Sequence, residues 1–288
     1  MITDLTQGSP SKVLFKFVLP LLGSVVFQQL YSISDSVIAG RFAGEDALAA
    51  IGVSYPITMI FMAVAMGCNN GGAVVISQLF GSKRMADMKT AVNTSFVMSA
   101  VASIALLVFG VIMCNPMLRM LDTPSNIFAD GASYLNIYTL GLPFLFFYNV
   151  SSGVYTALGD AKTPMYLLIG SSVANVILDL LFVAVFEWGV AGAAWATFIA
   201  QGVAAIVSVV LLLKRLSKLE YESKPRIFDK AIFRRIMIVT IPSILQQSFV
   251  SVGNLFIQRL INGYGSSVVA GYSSAIKLSH LQSCPLRL

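Results

Sequence analysis

Apolar positions in this 288-residue chain fall into long blocks separated by short polar breaks. The blocks run at about 13–41, 48–80, 90–113, 128–157, 163–187, 190–213 and 233–262, and another begins near Ser266. Each is long enough, at roughly 20 residues or more, to carry a helix across the ~30 Å hydrocarbon core of a bilayer. The pattern predicts an all-α membrane protein with seven full spans and the start of an eighth. The first block continues past Ala39 without a small-residue cleavage site, so it reads as a retained helix and not a signal peptide.

The polar stretch Lys214 to Arg235, KRLSKLEYESKPRIFDKAIFRR, interrupts the series between the sixth and seventh blocks. The seventh block resembles the start of the chain. LPLLGSVVFQQLYSISDSVIAGRFAGEDALAAIG aligns with IPSILQQSFVSVGNLFIQRLINGYGSSVVAGY, pairing Pro20 with Pro242, Gln28-Gln29 with Gln246-Gln247 and Ala50 with Ala270. Six crossings separate the two copies, so both enter the membrane from the same side, as parallel repeats do in transporters. The expected organisation is a six-helix amino-terminal lobe (1–213), a cytoplasmic linker (214–235) and the beginning of a second, parallel-repeat lobe (236–288).

Composition agrees, with 57% hydrophobic residues, 11% charged residues and a mean hydropathy of +0.81. The net charge of +6 matters through its placement. With a cytoplasmic amino terminus, the inside segments hold Lys12, Lys16, Lys83, Arg84, Lys89, Lys162, Lys214, Arg215, Lys218, Lys224, Arg226, Lys230, Arg234 and Arg235, and the outside holds Arg41, Arg119 and Arg259. That asymmetry sets orientation in the cell membrane and draws anionic lipid; it is not a nucleic-acid surface.

Two carboxylates break the apolar blocks. Asp35 lies six residues before Arg41, and Asp179 eight before Glu187. At 1.5 Å per residue, both sit roughly 10 Å inside the outer end of an outward-running helix. Asn175 precedes Asp179 by one helical turn, and Thr197 lies at similar depth in the next span. Carboxylates within a membrane are costly and mark ion or proton paths, whereas a lone Asn or Thr commonly hydrogen-bonds a neighbouring helix. Asp35, Asn175, Asp179 and Thr197 are therefore a candidate site for H⁺ or Na⁺, the cations that hard oxygen ligands suit. Pro20, inside the first span, removes a backbone hydrogen bond and supplies a bend point on the helix that carries Asp35.

Other chemistry finds little footing. No G-x-x-x-x-G-K-[ST] occurs, the single histidine is His280, and Cys68, Cys114 and Cys284 show neither zinc nor disulfide spacing. GCNNGG at Gly67 to Gly72 sits inside the second span, where small residues let helices approach closely. A membrane-embedded lipid-modifying enzyme would need polar clusters at an interface, and the outer loops are short and poor in them.

The residues also resemble a known family, the multidrug and toxic compound extrusion transporters. The resemblance rests on the Pro20-to-Asp35 spacing, FAGEDALAAIG, ISQLFGSKR, YTALGDAKTPM, ANVILD and GVAGAAWAT, and covers about 10–277. It implies two six-helix lobes around a V-shaped cavity, and export of drugs or other organic, often cationic, compounds in exchange for H⁺ or Na⁺. No cofactor and no obligatory protein partner are implied. Matched by position, the family's amino-terminal cation site falls on Asp35, Asn175, Asp179 and Thr197, and Tyr134 and Asn149 match positions lining the same lobe. The alternative within the same superfamily is a flippase of lipid-linked oligosaccharides, which needs a strongly cationic cavity. Family members have twelve spans, so the resemblance also implies truncation after the start of the eighth helix, where SSAIKLSHLQSCPLRL turns polar.

Overall fold

In the computed structural model, residues 10–221 and 223–283 are described, with side chains for 17–221 and 223–276. The described chain is helical throughout, with no strand. Helix α1 spans Pro10–Ile38 and passes through a π-helical segment, Ala39–Ala43, before α2 starts at Glu45 and runs to Gly81. There follow α3 (Met85–Met120), α4 (Ser125–Leu140), α5 (Leu142–Ala157), α6 (Lys162–Asp179) with a π-helical extension Leu180–Val185, α7 (Gly189–Leu216), α8 (Lys230–Asn262) and α9 (Ser266–Ser283).

Six of these helices are long and apolar enough to cross a membrane. The block at 128–157 becomes two, α4 and α5, meeting at Gly141 with a bend of 49°. Pro143, in the first turn of α5, needs no N–H partner there and suits the restart. Tight turns join the helices, and Lys83, Asp122 and Glu187 adopt left-handed conformations at three of them (φ 59°, 50° and 56°).

The sequence expectation of a polar tail replacing most of the eighth helix is corrected in part, since the backbone of α9 stays helical to Ser283. A helix needs its own backbone hydrogen bonds, not apolar side chains, so SHLQS can continue one. Cys284 to Leu288 lie outside the described residues, as do the side chains of Lys12, Lys16 and His280. The helix-free connection between α7 and α8 covers 217–229, shorter than the polar stretch, because α7 continues to Leu216 and α8 starts at Lys230. It is strapped to α3: the Arg226 N–H donates to Thr90 Oγ1 (3.1 Å), Asn93 donates to the Arg226 carbonyl (2.9 Å), and the Asp229 N–H donates to Thr94 Oγ1 (3.3 Å). Asp229 then caps α8 by accepting from the N–H groups of Ala231 and Ile232, bonds that hold its carboxyl below the usual range.

Helix α2 is the hub, packed against α3, α4, α5, α8 and α9. With lipid outside, helices gain little hydrophobic drive for one another, and close approach of small residues takes over. A methyl group on Gly71 would overlap Thr240 Oγ1 and lie 2.9 Å from the Ile236 carbonyl, and one on Gly67 would overlap the Ile244 side chain. Gly67 and Gly71 thus form the contact between α2 of the first repeat and α8 of the second, while Gly72 faces Ser95 of α3 and Asn69 faces Gly153 of α5. The α1–break–α2 and α8–break–α9 boundaries recur at the spacing of the sequence match.

Because the Ile236 carbonyl cannot retreat without moving α8, Gly71→Ala should destabilise by about 1–3 kcal/mol. Gly170, within α6, has nothing within 4 Å of an added methyl, so Gly170→Ala should be neutral or stabilising by up to ~1 kcal/mol. Thermal unfolding in detergent compares the two; equal effects would mean that α2 and α8 are not in tight contact.

Candidate cation site

Asp179 ends α6 and is fully buried. Asn175, one turn earlier and also buried, lies between Asp179 and α7. With its amide nitrogen toward the carboxylate, it donates to Asp179 Oδ2 at 2.7 Å and accepts from the Thr197 N–H at 3.1 Å. One carboxylate oxygen is thereby satisfied. The other, Oδ1, is buried without a hydrogen-bond partner. An acceptor left open in a low-dielectric interior is costly unless a cation or proton completes it.

Asp35 approaches from α1, half-buried, within electrostatic reach of Asp179. Both carboxylates also act on Tyr31 and Tyr134, and the Tyr31 hydroxyl meets the Thr197 side chain. The structure therefore brings Asp35, Asn175, Asp179 and Thr197 together as depth along the helices predicts. Tyr134 joins them, its ring stacked on Tyr138 at 6.4 Å. Asn149 does not: its amide donates to the Leu145 carbonyl of its own helix at 2.8 Å. Pro20 is buried inside a continuous α1.

Two features escaped the sequence reading. Each aspartate stands just before a π-helical segment, and those two segments pack on each other and on α7, the helix of Thr197. Widened turns of this kind recur at functional sites. Tyr31 and Tyr138 complete the ring of phenols; the signal was their spacing, Tyr31 one turn before Asp35 and Tyr138 one turn after Tyr134. Among the described residues no group of three or more His, Cys, Asp or Glu could hold a metal ion, which leaves two carboxylates with neutral oxygens, a set suited to H⁺ or Na⁺.

At the opposite end of α6, ALGDAKTPM builds a clamp. Asp160 caps the helix by accepting from the N–H groups of Lys162 and Thr163, both at 3.1 Å, takes the Thr163 hydroxyl at 2.6 Å, and pairs with Arg215 at the end of α7. Arg215 also lies over the Tyr155 ring, 5.8 Å from its centroid. The clamp fixes α5, α6 and α7 at the face where α1 begins.

Comparison with known proteins identifies the architecture. Residues 20–181 match the family model described as MatE. The chain belongs to the MatE family. Among similar proteins, the probable multidrug resistance protein YpnP of Bacillus subtilis is 32% identical over 98% of this chain, and the probable multidrug resistance protein YoeA of the same organism is 30% identical over 89%. The chain spans 63% and 57% of their lengths. The solved structure of the MATE multidrug transporter DinF-BH superposes with a TM-score of 0.88 at 24% identity, covering 96% of this chain and 62% of that one. These are names of transporters and resistance proteins, not of enzymes.

Asp160→Ala removes a helix cap and strands the largely buried Arg215 guanidinium, a loss of about 3 kcal/mol. Burial alone would raise the Asp160 carboxyl, but its bonds from Thr163 and Arg215 outweigh that and hold it below the usual carboxylate range. A folded pKa below the unfolded one contributes stability in full above about pH 4 and loses it as pH falls through the lowered folded value. The stability gap between the native chain and Asp160→Ala, read by thermal unfolding from pH 7 downwards, should hold to about pH 4 and narrow below it.

Proposed function

We propose that the chain is the cation-binding lobe, with the start of the second lobe, of an antiporter in the cell membrane. It exports organic, often cationic, compounds in exchange for H⁺ or Na⁺, with its amino-terminal face in the cytoplasm. The observation that carries the reading is the buried Asp179 Oδ1, left open beside Asp35 while Asn175 satisfies its sister oxygen. A bound cation neutralises the pair. Without it, two carboxylates face each other in a poorly screened interior, and the helix free to respond is α1. Of the candidate spans α1 is the least buried, and it contains Pro20. Movement of Asp35 about the Pro20 region would reshape the cavity between lobes, coupling ion exchange to export through a hinge.

The flippase reading gains no support at this site, because among the described residues the ionisable groups acting on Asp179, Tyr31 and Tyr134 are carboxylates and phenols. A pyrophosphate head group would need cations there.

Binding is tested on the chain itself. A ligand of the folded state at ten times its dissociation constant stabilises by about 1.4 kcal/mol. Thermal stability should therefore rise with Na⁺ at fixed pH, or with protons at fixed Na⁺, and Asp179→Asn should abolish that response; a variant that responds like the native chain would refute the site. Export is read in vesicles holding the chain completed with the carboxy-terminal part of YpnP. There, Asp35→Asn and Asp179→Asn should each slow gradient-driven efflux of a cationic dye about tenfold or more, each tenfold being about 1.4 kcal/mol.

In the same vesicles Pro20→Ala should leave dye binding intact and slow efflux by about tenfold, since it restores the missing backbone bond and stiffens α1. Unchanged efflux would mean that the bend is static.

A further inference from the structure

At the face opposite the amino terminus, polar contacts tie the first repeat to the second. Asn262, buried at the end of α8, donates to the Leu121 carbonyl at 2.7 Å, capping the end of α3. Beside it, Arg259 Nε donates to Asp122 Oδ2 at 2.8 Å, both side chains about 60% exposed. Asn126 donates to Asp46 Oδ1 (2.9 Å) and Ser266 Oγ (3.1 Å), joining the starts of α4, α2 and α9. One turn before Asn262, Gln258 donates to Asn262 Oδ1 at 2.8 Å. Gln258 also lines a cavity between α2, α8 and α9, together with Tyr55, Asn254, Tyr272 and Ser273.

The two ends of the α2–α8 contact differ. Toward the amino-terminal face, Gly67 and Gly71 bring the helix backbones together without space. Toward the other face the contact opens into the cavity, and polar bonds close it over. Gly52 of α2 packs closely on Ser273 of α9 at this end too, but the bonds that close it are polar and breakable; with the glycine contact at the other end they make a catch and a pivot. Hydrogen bonds and an exposed ion pair suit a catch, because water can replace each of them once the corner parts.

We propose that Gln258, Asn262, the Leu121 carbonyl and the Asp122–Arg259 pair form a latch that closes the face opposite the amino terminus, and that the two repeats part there by rotating about the Gly67–Gly71 contact. Gln258 belongs to both latch and cavity, so a hydrogen-bonding group in the cavity competes with Asn262 for its amide and loosens the catch. The latch rests on the export reading only for its purpose, since its opening is measurable without transport.

The test is cysteine labelling of the 288-residue chain in lipid nanodiscs by a membrane-impermeant thiol reagent. Cys68, Cys114 and Cys284 are replaced by Ala, and Ser273→Cys reports on the cavity. Labelling should be slow in the native background and about tenfold faster with Arg259→Glu or Asn262→Leu. The exchange Asp122→Arg with Arg259→Asp should return it toward the slow rate. Ser151→Cys, fully buried in the first lobe, should stay slow in every variant. Unchanged Ser273→Cys labelling in Asn262→Leu, a charge exchange as fast as Arg259→Glu, or parallel acceleration at Ser151→Cys would each overturn the latch. Loss of ion-dependent stabilisation in Asp179→Asn is a separate reading and leaves this one standing.

Discussion

A carboxylate in a hydrocarbon-like interior must be answered by something, and the first lobe is organised around that requirement at Asp179. Asn175 meets one oxygen and is itself held by the backbone of α7. The second oxygen finds no hydrogen-bond partner among the described residues. Asp35 brings a second carboxylate within reach of Asp179, on the helix least embedded in the bundle.

The rest of the lobe is rigid by comparison, and for a different reason. Bilayer lipid removes most hydrophobic drive between helices, so order comes from close packing and from polar bonds at the faces. The Asp160–Arg215 clamp and the strap of 217–229 along α3 serve the amino-terminal face, and the glycines of α2 serve the interior.

Much of this was legible in the sequence because the bilayer imposes simple rules. Span length and the cost of an intramembrane charge picked out the helices and the pair Asp35 and Asp179; the helical repeat added Asn175, and matching depth in the next span added Thr197. What stayed hidden depends on geometry that no periodicity encodes. The break at Gly141 falls inside a block long enough to read as one span, and the π segments after Ile38 and Asp179 carry no distinctive composition. Asn149 lies apart from the carboxylates, its amide donating to a carbonyl of its own helix, a choice set by the local turn. Asp160 was visible only as part of a motif, since nothing in the linear chain says that Arg215 ends beside it.

The π segments carry one more implication, best put in terms of phase. A π turn closes its hydrogen bond one residue later than an α turn, so each segment acts as an insertion in the helical count. Relaxing either one to α geometry would rotate everything beyond it by about 100°, the angle of a single residue. Because the segments at 39–43 and 180–185 touch, neither can change phase without disturbing the other. The ends of α1 and α6 are in that sense geared, and their positions beyond the aspartates come in discrete steps instead of a continuum.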